Sequence, residues 1–299
     1  MTMTKRTDLD ILLRSEEVVF CDGAVGTLLV KAGFGADPPV VAANVEAPDL
    51  VRALHRAYLA AGAQILQANT FGGNRLHLER VGWEARVADV NHAGVRLARE
   101  AADGRALVAG TMGPIGDVAP LGRVSQEDAA AVFREHAIFL AEAGVDLIVI
   151  ETMQDLREAR LAVRAAREAT GLPVACSITY GSHQAIFTQI MPPIAAQELL
   201  AAGATLVGVN CGPGPTTAAA VLADIHEVLP EARLLAQPSA GVPDRRSGRP
   251  GYFVTPERFA AWGLRVAQLG VKVLGGCCGT TPDHLRALVE AVRHRAGPE

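Results

Sequence analysis

A chain of 299 residues that is 49% hydrophobic can bury a large core, and its length suits one barrel-sized domain or two modest ones. Its formal net charge of -4, with acidic and basic residues interspersed along the chain, leaves no basic stripe for nucleic acid or an anionic membrane. The polar N-terminus and the lack of an apolar run of membrane-span length predict a cytoplasmic protein with no signal peptide or transmembrane helix.

Taken in order, eight short runs rich in Val, Ile, Leu and Ala have the character of strands buried on both faces: Val18 to Asp22, Gln64 to Asn69, Ala106 to Gly110, Leu147 to Glu151, Val174 to Ile178, Leu206 to Cys211, Leu234 to Gln237 and Val271 to Gly275. Each is followed by a stretch with helical periodicity, approximately Pro48 to Ala61, Ala85 to Ala102, Gln126 to Ala143, Leu156 to Thr170, Ala195 to Ala202, Thr217 to Val228, Pro256 to Leu269 and Pro282 to His294. Thr255-Pro256 and Thr281-Pro282 place a capping hydroxyl before proline at the first helical position, and Ser125 stands three residues before Asp128 as a cap would. This alternation predicts an α/β fold, a (β/α)8 TIM barrel forming one domain over residues 1–299, with a doubly wound sheet as the competing arrangement.

Loops entering the strands are terse, such as Ala143-Gly144-Val145 and Ala202-Gly203-Ala204. Several leaving them are long: Gly72 to Trp83, Thr111 to Val124 and Ser239 to Val254. In such a barrel the long loops gather at the carboxyl ends of the strands, where chemistry is placed. Polar residues fall at that end of nearly every strand: Asp22, Asn69 with Thr70, Thr111, Glu151 with Thr152, Ser177 with Thr179, Asn210, and Gln237. Buried polar groups are unfavourable unless paired, so this convergence points to a site.

Three of the five cysteines also end strands: Cys211 after strand six, and Cys277 with Cys278 after strand eight, among Gly275, Gly276 and Gly279. Adjacent strand residues point to opposite faces, so both sulfurs of the pair can serve one centre only if the backbone turns sharply there, which glycine permits. A three-thiolate set suits zinc, which takes thiolates in tetrahedral sites and in catalytic ones keeps a position open. A soft ligand such as a substrate thiol would fill that position. The competing account has Cys211 packed as a small apolar residue and the pair inert or joined as a vicinal disulfide. Cys21 and Cys176 read as core residues, with Cys21 directed toward the helix layer if Asp22 points into the barrel mouth.

The loop Asp22-Gly23-Ala24-Val25-Gly26-Thr27 can offer backbone N–H groups to a carboxylate or phosphate, while Asp22 and Glu151 suit an ammonium group. Either acid alone serves equally well as a solvated or capping residue. No histidine pair has metal-ligand spacing, and His284 is left outside the site. The basic run Asp244 to Tyr252 is a solvated face or a lid over the site. Gly275-Gly276 and the start of the last helix also leave open a phosphate-binding barrel enzyme.

These residues resemble the zinc-dependent homocysteine S-methyltransferases, a family that includes betaine-homocysteine methyltransferase and the homocysteine module of cobalamin-dependent methionine synthase. The resemblance runs along essentially the whole chain. It rests on Asp22 to Thr27, Gln67-Ala68-Asn69-Thr70-Phe71-Gly72-Gly73-Asn74, Gly110-Thr111-Met112-Gly113-Pro114, Glu151-Thr152-Met153-Gln154-Asp155, Val209-Asn210-Cys211 and Gly275-Gly276-Cys277-Cys278-Gly279. It implies zinc on Cys211, Cys277 and Cys278, and L-homocysteine held by Asp22, Glu151 and the Gly26-Thr27 backbone, with Asn69 as a further substrate contact. The implied reaction is methylation of homocysteine to methionine. Two positions depart from the family: Ala68 stands where Thr is frequent, and Pro238-Ser239-Ala240-Gly241 replaces Pro-Asn-Ala-Gly, which leaves open what fills the fourth zinc position without substrate. The chain has no length for folate, cobalamin or flavin modules. The expected donor is therefore S-methylmethionine, S-adenosylmethionine, betaine or a methyl-corrinoid on a separate protein, and a homocysteine-binding subunit of a split corrinoid-dependent enzyme is the alternative role. The aromatic content of 4% leaves little material for a cage around betaine's quaternary ammonium.

Overall fold

The computed structural model describes residues 5–15, 17–35, 37–116, 122–181, 190–244 and 251–294. Eight parallel strands form the centre: β1 Val19–Phe20, β2 Ile65–Gln67, β3 Leu107–Met112, β4 Leu147–Met153, β5 Val174–Ile178, β6 Leu206–Cys211, β7 Leu234–Pro238 and β8 Val273–Leu274. They are ordered β1-β8-β7-β6-β5-β4-β3-β2. The sheet closes on itself between its first and last members, where Cys21 bridges Ile65 in parallel, and Asp22 N and Gln64 N donate to Ile65 O and Phe20 O at 3.1 and 2.7 Å. It is the expected (β/α)8 barrel, a single domain, and the doubly wound sheet is ruled out by that closure.

The helices are α1 Lys5–Arg14, α2 Gly26–Lys31, α3 Ala43–Glu46, α4 Pro48–Ala60, α5 Arg75–Glu79, α6 Val87–Ala102, α7 Gln126–Glu142, α8 Leu156–Thr170, α9 Pro192–Ala201, α10 Pro215–Val228, α11 Pro256–Ala267 and α12 Pro282–His294. All eight expected helices form, each within a few residues of its predicted bounds. Ser125 caps α7 by accepting from Asp128 N at 3.0 Å, and Thr255 caps α11 by accepting from Arg258 N at 3.4 Å. Thr281 does otherwise: its N–H donates to His284 Nδ1, while His284 Nε2 bonds Val254 O at 2.8 Å. His284 is thus a structural strut, consistent with its place outside the predicted site.

Burial falls into two layers, as period-2 strands between helices require. Phe20, Leu66, Val108, Ile148, Cys176, Val207 and Ala236 face the helices. Val19, Ile65, Leu107, Leu147, Ala175, Leu206 and Val273 fill the barrel. α1, hidden in a stretch that reads as polar, adds Leu9 and Leu13 to that interior, both buried. Cys21 also belongs to the interior, which corrects the expectation that it faces the helix layer. Asp22, just past β1, is buried with its Oδ2 accepting from Gln67 N, so the premise that it points into the barrel mouth does not hold. Among the described residues no helix is long and apolar enough to cross a membrane.

Candidate active site at the carboxyl rim

The ends of β6 and β8 bring three sulfurs together. Cys211 Sγ lies 3.9 Å from Cys278 Sγ, Cys277 Sγ lies 4.0 Å from Cys278 Sγ, and all three fall within 4.8 Å of one another. These distances exclude disulfides, whose sulfurs stand about 2.05 Å apart. They match the spacing of roughly 3.8 Å between thiolates bound tetrahedrally at about 2.3 Å to one zinc.

The backbone reaches this arrangement through unusual conformations. Cys211 has φ 57°, in the left-handed region that turns the chain off its strand. At the pair, a Cβ on Gly276 would stand 2.4 Å from Thr280 Oγ1, and one on Gly279 would stand 2.1 Å from Tyr252 Cγ. Neither position admits a side chain. Thr280 is itself locked, its hydroxyl donating to Cys277 O at 2.8 Å and accepting from Ala24 N at 3.1 Å. Tyr58 ties the same two loops, donating to Ala24 O at 2.9 Å.

Ser239 Oγ donates to Cys211 Sγ at 3.4 Å, and the neighbouring Cys277 and Cys278 thiols draw the proton affinity of Cys211 far below the ordinary thiol range. Sharing that charge pushes Cys278 up to about 12 and Cys277 well above its ordinary value. Three thiolates need a cation among them, and among the described residues no lysine or arginine lines the cavity beside the cluster. The donor set thus fits a divalent, thiophilic metal.

Asn210 organises the neighbouring wall. It is fully buried; its Oδ1 accepts from Thr152 N and Ser177 Oγ, both at 2.8 Å, and its Nδ2 donates to Glu151 Oε2 at 3.0 Å and Thr152 Oγ1 at 2.8 Å. The same Nδ2 stands 3.8 Å from Cys277 Sγ. Burial, and then the charge of Cys211, push Glu151 up to about 8.

A cavity of about 520 Å3 opens beside the sulfurs, and its wall includes Cys211, Cys277, Cys278, Glu151, Gly26, Thr27 and Asn69. Thr27 Oγ1 accepts from Gly279 N at 3.2 Å, joining α2 to the cysteine loop. Asn69 presents a face to the cavity, but its Nδ2 is engaged by Val40 O and Asn44 Oδ1 at 3.0 and 2.9 Å. Asp22 lies beneath the wall, fully buried; its Oδ2 accepts from Gln67 N at 2.8 Å, and burial raises its carboxyl well above the usual range. Two of the backbone N–H groups in this loop are already taken: Gly276 N donates to Asp22 O and Cys277 N to Pro238 O, both at 2.9 Å.

Of the basic run after β7, Arg245 to Pro250 lies outside the described residues. Its flanks meet as a bridge, Asp244 and Gly251 exchanging hydrogen bonds of 2.8 and 2.9 Å. Asn210, Ser239 and Tyr252 are rim residues that sequence reasoning left without a role. Asn210 stands among the polar strand-end residues and Tyr252 at the end of the basic run, but neither position in sequence says what its side chain holds.

A (β/α)8 barrel with three converging thiols and a glutamate-bearing cavity at its carboxyl rim is an enzyme-like architecture whose sulfur cluster could hold a thiophilic metal. The chain belongs to the homocysteine S-methyltransferase family, whose sequence profile matches residues 19–292. It is 31% identical to the methionine synthase of Mycobacterium tuberculosis over 97% of this chain and 26% of that one, so it spans about a quarter of that relative's length. It is 34% identical to betaine–homocysteine S-methyltransferase 1 of Bos taurus, over 95% of this chain and 74% of that protein. The metallated form of the Escherichia coli homocysteine methyltransferase MmuM shares the fold with a TM-score of 0.77 at 24% identity, covering 93% of this chain and 97% of that one.

Proposed function

We propose that the chain transfers a methyl group to L-homocysteine, giving L-methionine, with zinc held by Cys211, Cys277 and Cys278. The observation that carries this reading is the three-sulfur cluster, at tetrahedral spacing, in the wall of a cavity that also presents Glu151. A bound zinc would supply one thing, holding the substrate thiol deprotonated at neutral pH. The chain's own groups do the rest. Glu151, anchored by Asn210, receives the substrate ammonium, whose charge restores the ionised carboxylate. The Gly26-Thr27 backbone takes the carboxylate. So held, the homocysteine sulfur faces the remaining cavity, where its bond to the methyl carbon forms as the donor's bond breaks and the electron pair leaves with the donor.

The donor is a small molecule. Phe71 and His77 are the sole aromatic side chains in the described cavity wall, too few for a quaternary-ammonium cage, which favours the sulfonium donors S-methylmethionine and S-adenosylmethionine over betaine. The match to a quarter of a methionine synthase supports a second role, that of a homocysteine-binding subunit methylated by a separate methyl-corrinoid protein. Purified protein of measured zinc content, incubated with homocysteine and each donor in turn, methylcobalamin included, tests both. Methionine from a sulfonium compound is the expected result. Zinc-loaded protein that makes none from any donor overturns the proposal.

A further inference from the structure

Where the connections after β1 and β2 build the cavity wall, two buried asparagines bond each other reciprocally. Asn69 Nδ2 donates to Val40 O at 3.0 Å and to Asn44 Oδ1 at 2.9 Å. Asn44, in α3, returns the contact, its Nδ2 donating to Asn69 O at 2.7 Å and to Val90 O of α6 at 2.8 Å. Val40 O, Asn69 O and Val90 O are backbone carbonyls, which only accept, so the nitrogen and oxygen of both amides are fixed in place by their partners. α6 makes room for Asn44 at Gly94, where a Cβ would stand 2.6 Å from Asn44 Nδ2.

Both hydrogens of Asn69 Nδ2 are thereby spent, and one polar atom of the side chain is left over. Asn69 Oδ1 receives no hydrogen bond among the described residues and is not one of their sealed polar atoms; because Asn69 lies in the cavity wall, this oxygen opens on the cavity. It is an acceptor that cannot turn away, in a wall where the described residues include no lysine or arginine. Such a carbonyl attracts positive charge, through N–H groups or through the polarised C–H groups of a cation. With the homocysteine ammonium received by Glu151, the reactant left for the Asn69 oxygen is the methyl donor.

We propose that Asn69 is a binding residue for the methyl donor, its Oδ1 facing the polarised C–H groups of a positively charged onium centre, and that Asn44 is the positioning residue that holds this oxygen toward the cavity. The inference deepens the proposed function and rests on it. A fixed carbonyl selects an onium donor over one without that charge, which gains nothing from the contact.

The test compares the full chain with Asn69→Ala, Asn44→Ala and the double variant, each of measured zinc content. Steady-state rates give separate KM values for S-methylmethionine and homocysteine, and calorimetry gives the dissociation constant of S-methylmethionine alone, where no thiol is present to consume it. Asn69→Ala is expected to raise both donor constants about 10-fold, the equivalent of one hydrogen bond, with the KM for homocysteine and the zinc content unchanged. Asn44→Ala is expected to raise the same constants to a smaller degree and to add nothing in the double variant, because it acts through Asn69. Asn69→Leu, which keeps the bulk of the side chain, carries the same expectation where the alanine variant fails to fold. A raised KM for homocysteine in place of the donor's overturns the assignment to the donor. Donor constants unmoved while the unfolding midpoint falls overturn the proposal as well, leaving the two asparagines as packing alone. Wild-type protein that makes methionine from methylcobalamin and from no onium compound also overturns it. Wild-type protein that makes none from any donor overturns the proposed function itself, and this inference with it.

Discussion

Replacing Asn210 by alanine tests how far the rim depends on one buried amide. The side chain is inaccessible to solvent and makes four hydrogen bonds of 2.8 to 3.0 Å, to Thr152 N, Ser177 Oγ, Glu151 Oε2 and Thr152 Oγ1. Truncation strands the Thr152 N–H, a backbone donor that cannot turn elsewhere, at a cost of about 1 to 3 kcal/mol. The Ser177 hydroxyl can rotate and Glu151 can shift toward the cavity, so each adds about 1 kcal/mol. The sum, about 3 to 5 kcal/mol, is a large share of the 5 to 15 kcal/mol typical of a domain. Denaturant unfolding should show a lower midpoint with an unchanged slope, since the surface exposed on unfolding is the same. Homocysteine binding by the surviving folded protein should weaken as well, because Glu151 loses its anchor. A variant within about 0.5 kcal/mol of wild type, the range of ordinary surface substitutions, would refute the view of Asn210 as the hub.

Cys211→Ala should release zinc about as effectively as Cys277→Ala or Cys278→Ala, measured as metal content after dialysis; a variant that keeps zinc breaks the three-thiolate assignment. Glu151→Gln removes the charge offered to the ammonium and should raise the KM for homocysteine by roughly 10- to 100-fold, the equivalent of a charged hydrogen bond, with metal content unchanged. His55 sits in α4 with both ring nitrogens buried and unpartnered, and burial lowers its pKa to about 4. Its folded-state value lies below its unfolded one near 6.5, so the stability it contributes is present above pH 6.5 and lost as pH falls toward 4. His55→Leu should flatten the stability profile across that window, read from unfolding midpoints between pH 4 and 7; an unchanged acid limb would refute this.

What the sequence made legible was whatever a local period or spacing can carry. Strands buried on both faces appear as unbroken apolar runs, and β3 to β7 are found within two residues of their predicted ends. The cysteines stood out because a thiol at a strand end beside glycines is rare in a packed core. α1 escaped because its buried contacts come from Leu9 and Leu13 inside an otherwise polar stretch, and only the closed barrel supplies the surface they cover. Cys21 was assigned to the helix layer on the premise that Asp22 points into the barrel mouth, whereas Asp22 is buried beneath the cavity wall and bonded to Gln67 N. Asp22 and Glu151, equivalent as acids near the rim, were separated by the fold: one lies beneath the cavity, bonded to Gln67, and the other lines its wall. That distinction depends on the path of the chain after each strand and leaves no mark on residue type. Tyr252 reaches Gly279 across 27 positions of sequence, so no spacing rule could have paired them.

The rim holds two non-glycine residues in left-handed conformation, Thr152 with φ 60° and Cys211 with φ 57°. Each costs roughly 1 to 2 kcal/mol relative to a right-handed alternative. Both adjoin Asn210: Cys211 follows it in sequence, and Thr152 receives it through its backbone N–H and its hydroxyl. The turn at Thr152 sets Glu151 in the cavity wall, and the turn at Cys211 sends its sulfur toward β8 instead of along its strand. One buried amide therefore stabilises two unfavourable turns that place a carboxylate and a clustered sulfur on the same cavity. Strain of this kind persists only where surrounding contacts over-determine it. Here those contacts are the hydrogen bonds of Asn210 on one side and the glycine-lined cysteine pair on the other. Distortion on either side should propagate to both the Glu151 carboxylate and the Cys211 sulfur, which makes the two halves of the site a single mechanical unit.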